Sequence, residues 1–271
     1  MRKILVVLLT IPIFFLFIIG LVLFDYVYFP LISSKAEKAA EKHLEEKYNE
    51  DFVIDESSFS KPLGDDMGTY QIDSHPVKDP KLTVRISVTE DMQPISDNYL
   101  DMKWRAELNE QFGSIYKKLY ESLENYSYMV NVSFPDETYT KYNISNTYQE
   151  IIEREHKGIG NIIFANVLLN TSNEMDYQLN KVYKLIQYLK NQELEYFTIK
   201  IEYFNENLEQ EISDKDKKLD YNDFSNKHLK SRDYLFDFSY DSKDEWSKKK
   251  MEDIKSSDDL KQYLQKVKAM N

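Results

Sequence analysis

The residues most able to do chemistry in this 271-residue chain are its four histidines and its 47 acids. His43, His75, His156 and His228 fall in separate stretches. No His-x-x-x-His or His-Glu-x-x-His spacing puts two imidazoles on one helical face. A zinc centre needs three or four converging ligands, so no histidine metal site is expected. The segment Asp214-Lys-Asp216-Lys-Lys218-Leu219-Asp220-Tyr-Asn222 opens like a calcium loop. Lys218 then takes a ligand position, Leu219 the turn glycine and Ser225 the bidentate glutamate, so it reads as a solvated charged loop. The adjacent acids Glu45-Glu46, Asp65-Asp66 and Asp258-Asp259 are what so acidic a chain produces by chance. Acid–base work needs one of two carboxyls held in an apolar pocket, which adjacency in sequence does not show.

Other chemistries are excluded more directly. With no cysteine there is no thiolate nucleophile, thiolate metal site or disulfide. Six glycines and seven prolines leave little for phosphate-cradling loops, and neither Gly-x-Ser-x-Gly nor Gly-x-x-x-x-Gly-Lys occurs. Gly158-Ile-Gly160 reads as a helix stop before a strand. The asparagines of four Asn-x-Ser/Thr triplets, Asn125, Asn131, Asn143 and Asn170, read as accidental matches, and Asn131 lies within an expected strand. No catalytic, cofactor-binding or metal-binding residue is assigned, no cofactor is expected, and the reading leans away from an enzyme. The formal charge of −12 argues against nucleic acid, whose phosphates need a basic surface. It would repel an anionic wall polymer too, which leaves a protein or peptide as the expected partner.

Any such residues must be positioned by the elements around them, beginning with an anchor. Ile4 to Phe24 is a 21-residue run without charge. At about 1.5 Å per residue it matches a hydrocarbon core roughly 30 Å thick, and Tyr26, Tyr28 and Phe29 stand where an interfacial aromatic belt would lie. A cleaved signal peptide would be shorter and end at a small-x-small site. The expected layout is a cytoplasmic tail at 1–3, a membrane anchor at 4–24 and a juxtamembrane linker at 25–34. The basic Arg2-Lys3 tail and the uncharged-to-acidic Asp25–Ser34 stretch place the bulk of the chain outside the cell.

The remainder reads as α+β, two small modules of antiparallel sheet packed against helices, at 35–134 and 135–271. In the first, a helix over Ser34–Asn49 precedes strands at Phe52–Ile54, Thr69–His75 and Leu82–Val88. A long helix follows from Ser96 or Asp97. Its stripe Leu100, Trp104, Leu108, Phe112, Ile115, Leu119, Leu123 predicts one buried face. That seam is expected against a single sheet made of Tyr70, Ile72, Val84, Ile86, Val130 and Val132.

In the second module, Thr147-Tyr-Gln-Glu150 and Thr171-Ser-Asn-Glu174 are capping boxes. The bulk and short length of Asn161–Leu169 favour a buried strand over the alternative of a helix, and Leu179, Val182, Leu185, Ile186 and Leu189 mark a helix. Phe197–Tyr203 and Tyr234–Tyr240 alternate as strands. The second of these, an aromatic stripe, reads as core packing in preference to a ligand platform or a free edge. The polar stretch Asn205–Arg232 is either mobile or holds a short helix, and a final helix is expected over Ser257–Ala269.

The run Ala40-Glu-Lys-His43-Leu44-Glu-Glu-Lys47-Tyr48-Asn-Glu-Asp51-Phe52-Val-Ile54, with Gly68-Thr-Tyr70 and Pro76 through Leu82, resembles uncharacterised membrane-anchored exported proteins of low-GC Gram-positive bacteria. The resemblance covers about residues 1–90. It implies a basic start, one span, a helix ending in a Lys-Tyr pair and a small antiparallel sheet, and it brings no catalytic residues. The expectation is therefore a single-pass extracytoplasmic protein that binds a protein or peptide at the cell envelope. The alternatives are an extracytoplasmic hydrolase whose acids converge only in three dimensions, and a structural or immunity-type membrane protein acting through its span.

Overall fold

The computed structural model describes residues 29–119 except 63 and 65, and 128–155, 157–169, 174–213, 215–216, 219, 221–228, 234–243 and 253–266. The expected anchor at 4–24 lies outside the described residues. Among those described, no helix is long and apolar enough to cross a membrane. The chain divides into two compact units between Met102 and Lys103.

In the first unit, helix α1 (Phe29–Tyr48) precedes strands β1 (Phe52–Ser60), β2 (Thr69–Pro76), β3 (Val84–Thr89) and β4 (Pro94–Asp97). They form an antiparallel meander in the order β1-β2-β3-β4. Ala36, Ala40, Leu44 and Tyr48, spaced by four, are buried, and α1 lies against all four strands. The two alanines permit close approach. Tyr70 and Ile72 of β2, with Val84, Ile86 and Val88 of β3, supply the buried face. The opposite face carries cross-strand polar pairs. Arg85 grips Asp73 at 2.7 and 3.0 Å, His75 meets Asp55 at 2.8 Å, and Ser87 donates to Gln71 at 3.1 Å. This is the half-solvated antiparallel sheet that the period-two patterning predicts. Strand β4, which the sequence reading lacks, is only four residues long and opens on Pro94.

Helix α2 (Tyr99–Leu119) crosses the division in its first turn. The second unit continues with β5 (Tyr128–Ser133), α3 (Thr138–Lys141), α4 (Tyr148–Arg154), β6 (Gly160–Leu169), α5 (Met175–Lys190), β7 (Tyr196–Asn205), α6 (Leu208–Glu211), α7 (Tyr221–His228), β8 (Tyr234–Asp241), a 3₁₀ helix (Ser257–Tyr263) and β9 (Leu264–Lys266). The sheet order is β5-β6-β7-β8-β9.

Three expectations need correction here. This sheet is mixed, because β6 and β7 pair in parallel, from Gly160↔Tyr196 to Leu169↔Asn205. Parallel neighbours need a crossover, and α5 supplies it, burying the expected Leu179, Val182, Leu185, Ile186 and Leu189. Next, β5 pairs with β6. Val130 and Val132 therefore belong to a different sheet from Tyr70, Ile72, Val84 and Ile86, and no single sheet backs the α2 seam. That is why the division falls at Met102 and not after Phe134. The aromatic strand β8 is interior as expected, flanked by β7 and β9, with Phe238 and Tyr240 buried. Finally, the last helix is a 3₁₀ turn. Leu264 turns extended and pairs with Phe238, so the outer edge of β8 takes a strand where helix was expected.

Trp104, Leu108 and Phe112 are buried. The Trp104 indole donates to Asn146 O at 2.9 Å and meets the Phe134 ring edge-on at 5.2 Å. Leu108, Phe112, Val130, Ile163 and Leu189 converge around a residual space of about 10 Å³, enough for one water. Thr147 opens α4 with the expected capping box.

Candidate functional site

Strand β7 alternates between two environments. Phe197, Ile199, Ile201 and Tyr203 point into the apolar core, while Thr198, Lys200, Glu202 and Phe204 line the other face. On that face β6 sets Phe164 beside Lys200, Asn166 beside Glu202 and Leu168 beside Phe204. From the other side β8 sets Ser239 opposite Lys200 and Asp237 opposite Glu202. The segments after β7 then cover one end. Leu208, Ile212 and Phe224 pack on Leu168 and Phe204, with Leu219 and Tyr234 against the cluster. Tyr221 lays its ring on Phe164 at 5.0 Å. At the far end Ser239 is exposed and the Lys200 side chain is 38 % exposed.

Glu202 lies where the cover begins, with a side chain that is 0 % exposed. Lys200 Nζ stands 3.3 Å from one of its oxygens. Among the described residues, neither Glu202 oxygen meets a donor in hydrogen-bond geometry, and neither do Asp237 Oδ1 and the Tyr221 hydroxyl. Residues directly opposite in an antiparallel pair have Cβ atoms about 4.5–5.5 Å apart, so the two carboxyls share one small volume. Burial, and then the Glu202 charge, push the Asp237 carboxyl above the ordinary carboxylate range against the pull of Lys200. The Tyr221 and Tyr234 hydroxyls are raised as well, first by burial and then by the two acids. Buried polar atoms are normally hydrogen-bonded, which makes this grouping the exception that calls for an explanation. Chemically it is one acid inclined to keep its proton beside another, with a single cation at the rim.

A second buried acid shows the contrast. The Asp97 side chain is 2 % exposed, yet Lys47 Nζ donates to it at 2.7 Å, the Tyr48 hydroxyl at 2.5 Å and the Tyr99 amide at 3.2 Å. Burial alone would raise its pKa. The hydrogen bonds of Lys47 and Tyr48 outweigh that and hold it below the ordinary value. The Lys-Tyr pair at the end of α1 is thus half of a structural clasp.

The residues singled out from the sequence do not assemble. His43 stands 3.6 Å from Asp97, His75 pairs with Asp55, and His228 packs on Phe224, where burial lowers its pKa. His156 lies outside the described residues. Among those described, no three His, Asp or Glu side chains are grouped to hold a metal. In the calcium-like segment Asp216 is held by Lys227 and Ser213, which lower its pKa to about 2; Asp214, Lys218 and Asp220 are outside the described residues. Asp259 closes a capping box at Ser256, and Asp258 pairs with Lys261 at 2.8 Å. Glu202 and Asp237 were missed because they occupy the polar positions of alternating strands, which read as solvent-facing. The available signal was the pair Tyr203-Phe204, where the alternation breaks and both faces turn apolar.

No family model and no curated protein sequence matches the chain. Among solved structures it is similar to one described as a DUF5037 family protein from Ruminococcus gnavus. The TM-score is 0.43 at 14 % identity, over 78 % of this chain and 91 % of that one. A likeness at that level carries no functional argument.

Proposed function

We propose that the chain is a single-pass, membrane-tethered extracytoplasmic protein whose second unit binds a protein or peptide at the cell envelope. Tether and orientation rest on the Ile4–Phe24 run and the basic residues before it. The observation that carries the binding role is the Glu202–Asp237 pair at the edge of an aromatic cover: Glu202 is buried, Asp237 half-buried, and among the described residues neither Glu202 oxygen nor Asp237 Oδ1 has a well-aligned donor. An acid pair left in that state is costly in an isolated chain, and its persistence is explained by a partner that satisfies it. The test is a photo-crosslinking residue at Ser239, on the exposed part of the same face, in intact cells. A discrete protein or peptide adduct is expected. Crosslinking to lipid and water alone would remove the reading.

The same pair favours a second reading, a carboxylate-based hydrolase, because a raised acid beside a second carboxyl is the arrangement that general acid–base chemistry uses. Turnover of envelope peptides or glycans that disappears in both Glu202→Gln and Asp237→Asn would establish it. The third reading, action through the span, predicts loss of function when residues 4–24 are scrambled within an apolar composition.

A further inference from the structure

The binding reading leaves open what chemistry the partner presents, and the inference drawn here rests on that reading. We infer that the Glu202–Asp237 pair is a receptor for a ligand ammonium or guanidinium group, a lysine or arginine side chain of the partner, which takes the position Lys200 Nζ holds in the free protein.

Charge count supports this first. Two carboxyls face each other across β7 and β8, and Lys200 is the cation acting on Asp237. One negative charge is left over whenever both acids are ionised. Asp216 and Glu195, by contrast, have their own cations in Lys227 and Lys243. A buried acid pair in this state is settled either by a proton or by a second cation, and only the second is a binding event.

Geometry supports it next. Lys200 reaches Glu202 at 3.3 Å without completing a hydrogen bond. An ammonium with three donors, or a guanidinium with five, can complete what a side chain rooted two residues away on the same strand face does not. Lys200 is also partly exposed, so its head can swing into water and vacate the position while Glu202 stays.

The walls suit the same ligand. Phe164, Tyr221 and Tyr234 border the acids, and aromatic rings attract cations when water is excluded. The Tyr221 side chain is buried, and its hydroxyl, which leans on Glu202 and Ser225, can turn an oxygen lone pair toward a cation. An anionic ligand would meet the acids' charge and has only Lys200 to offset it. The overall charge of −12 also raises the local concentration of cationic partners.

The probe is N-acetyl-lysine-methylamide, titrated into the full-length chain in mild detergent and followed by calorimetry, with its norleucine analogue as the uncharged control. The lysine probe is expected to bind and the norleucine probe to bind at least tenfold more weakly. Glu202→Gln and Asp237→Asn are each expected to weaken the lysine probe by tenfold or more, with circular dichroism showing that both variants are folded. Lys200→Met, which empties the position, is expected to tighten it several-fold. Glu46→Gln, which removes an exposed acid of the first unit, is expected to leave it unchanged. Equal binding of the two probes, or a Glu46→Gln effect as large as that of Glu202→Gln, would overturn the inference as non-specific attraction. If the Ser239 crosslink persists while no lysine or arginine probe binds, the binding reading stands and the cation chemistry falls. If the probe binds and no partner crosslinks, the site stands and the protein-partner reading falls.

Discussion

The Asn109 carboxamide closes the outer edge of Val130. Its Nδ2 donates to Val130 O at 2.7 Å, and its Oδ1 accepts from Val130 N–H at 3.0 Å. The side chain thus stands where the next strand of the sheet would be, and β5 is not left as a bare edge inviting another chain. Asn109→Ala orphans both groups of a fully buried residue and is expected to cost about 1–3 kcal/mol. Asn109→Asp keeps the acceptor for the Val130 amide but turns a carboxylate oxygen toward Val130 O, so it is expected to cost at least as much. Denaturant melts give the magnitude. Hydrogen exchange at the Val130 amide, faster in the alanine variant, locates it.

Trp104→Ala is expected to cost about 3–5 kcal/mol, the range for removing a large aromatic from a core. Trp104→Phe keeps most of the ring but loses the indole's hydrogen bond to Asn146 O, and about 0.5–1.5 kcal/mol is expected from that loss before any packing defect. Lys103 is more than a solvated charge, since it bonds Glu107 at 2.5 Å and Asn146 O at 3.2 Å. Unchanged stability in Trp104→Ala, read from a denaturant midpoint, would show the indole to be an exposed anchor.

Two aspartates, Asp97 and Asp237, give opposite slopes with pH. The folded-state pKa of Asp97 lies below its unfolded value. Its contribution is therefore fully present above the usual carboxylate pKa of about 3.9 and is lost as pH falls through the lower folded value. Asp237 has its folded pKa above the unfolded one. The folded state binds that proton more tightly, so its contribution is greatest below about pH 3.9 and declines as pH rises toward the raised value. Melts of Asp97→Asn between about pH 3 and 7 should lose the acid-side fall, and those of Asp237→Asn the decline above it. Identical slopes in both variants and the parent would contradict these assignments.

Topology has its own test. A protease added to cells stripped of wall is expected to degrade everything beyond about Tyr28. Survival of a fragment containing Trp104, while a known exposed protein is cut, would reverse the orientation.

Much of this architecture is legible in the chain. The α5 stripe from Leu179 to Leu189 and the strands at 196–205 and 234–241 follow from spacing, because each pattern reports one buried face; the Thr147 capping box follows from its residue types, and the strand at 160–169 from a short, bulky apolar run. Strand partnership is less legible. Nothing in Tyr128–Ser133 says that it joins Gly160–Leu169 in place of the preceding meander, since alternation specifies a face and not a neighbour. The carboxylate pair was hidden for a related reason. A polar position in an alternating strand reads as wet, and only the helices after β7, which arrive from a polar stretch, make Glu202 dry.

The meander of the first unit also bears on how the chain acquires its shape. Each of its pairings, β1 with β2, β2 with β3 and β3 with β4, joins strands that follow one another directly in the chain. The second sheet closes over longer distances. Tyr128 meets Ala165, Gly160 waits for Tyr196 across a whole helix, and Phe204 meets Tyr234. Loop closure over such separations slows folding, and chains emerge from synthesis amino end first. The first unit is therefore complete while the residues that will build the acid pair are still being made. Strands β6 and β7, rich in apolar side chains, pass through the longest interval without their partners, and it is there that folding is most exposed to aggregation.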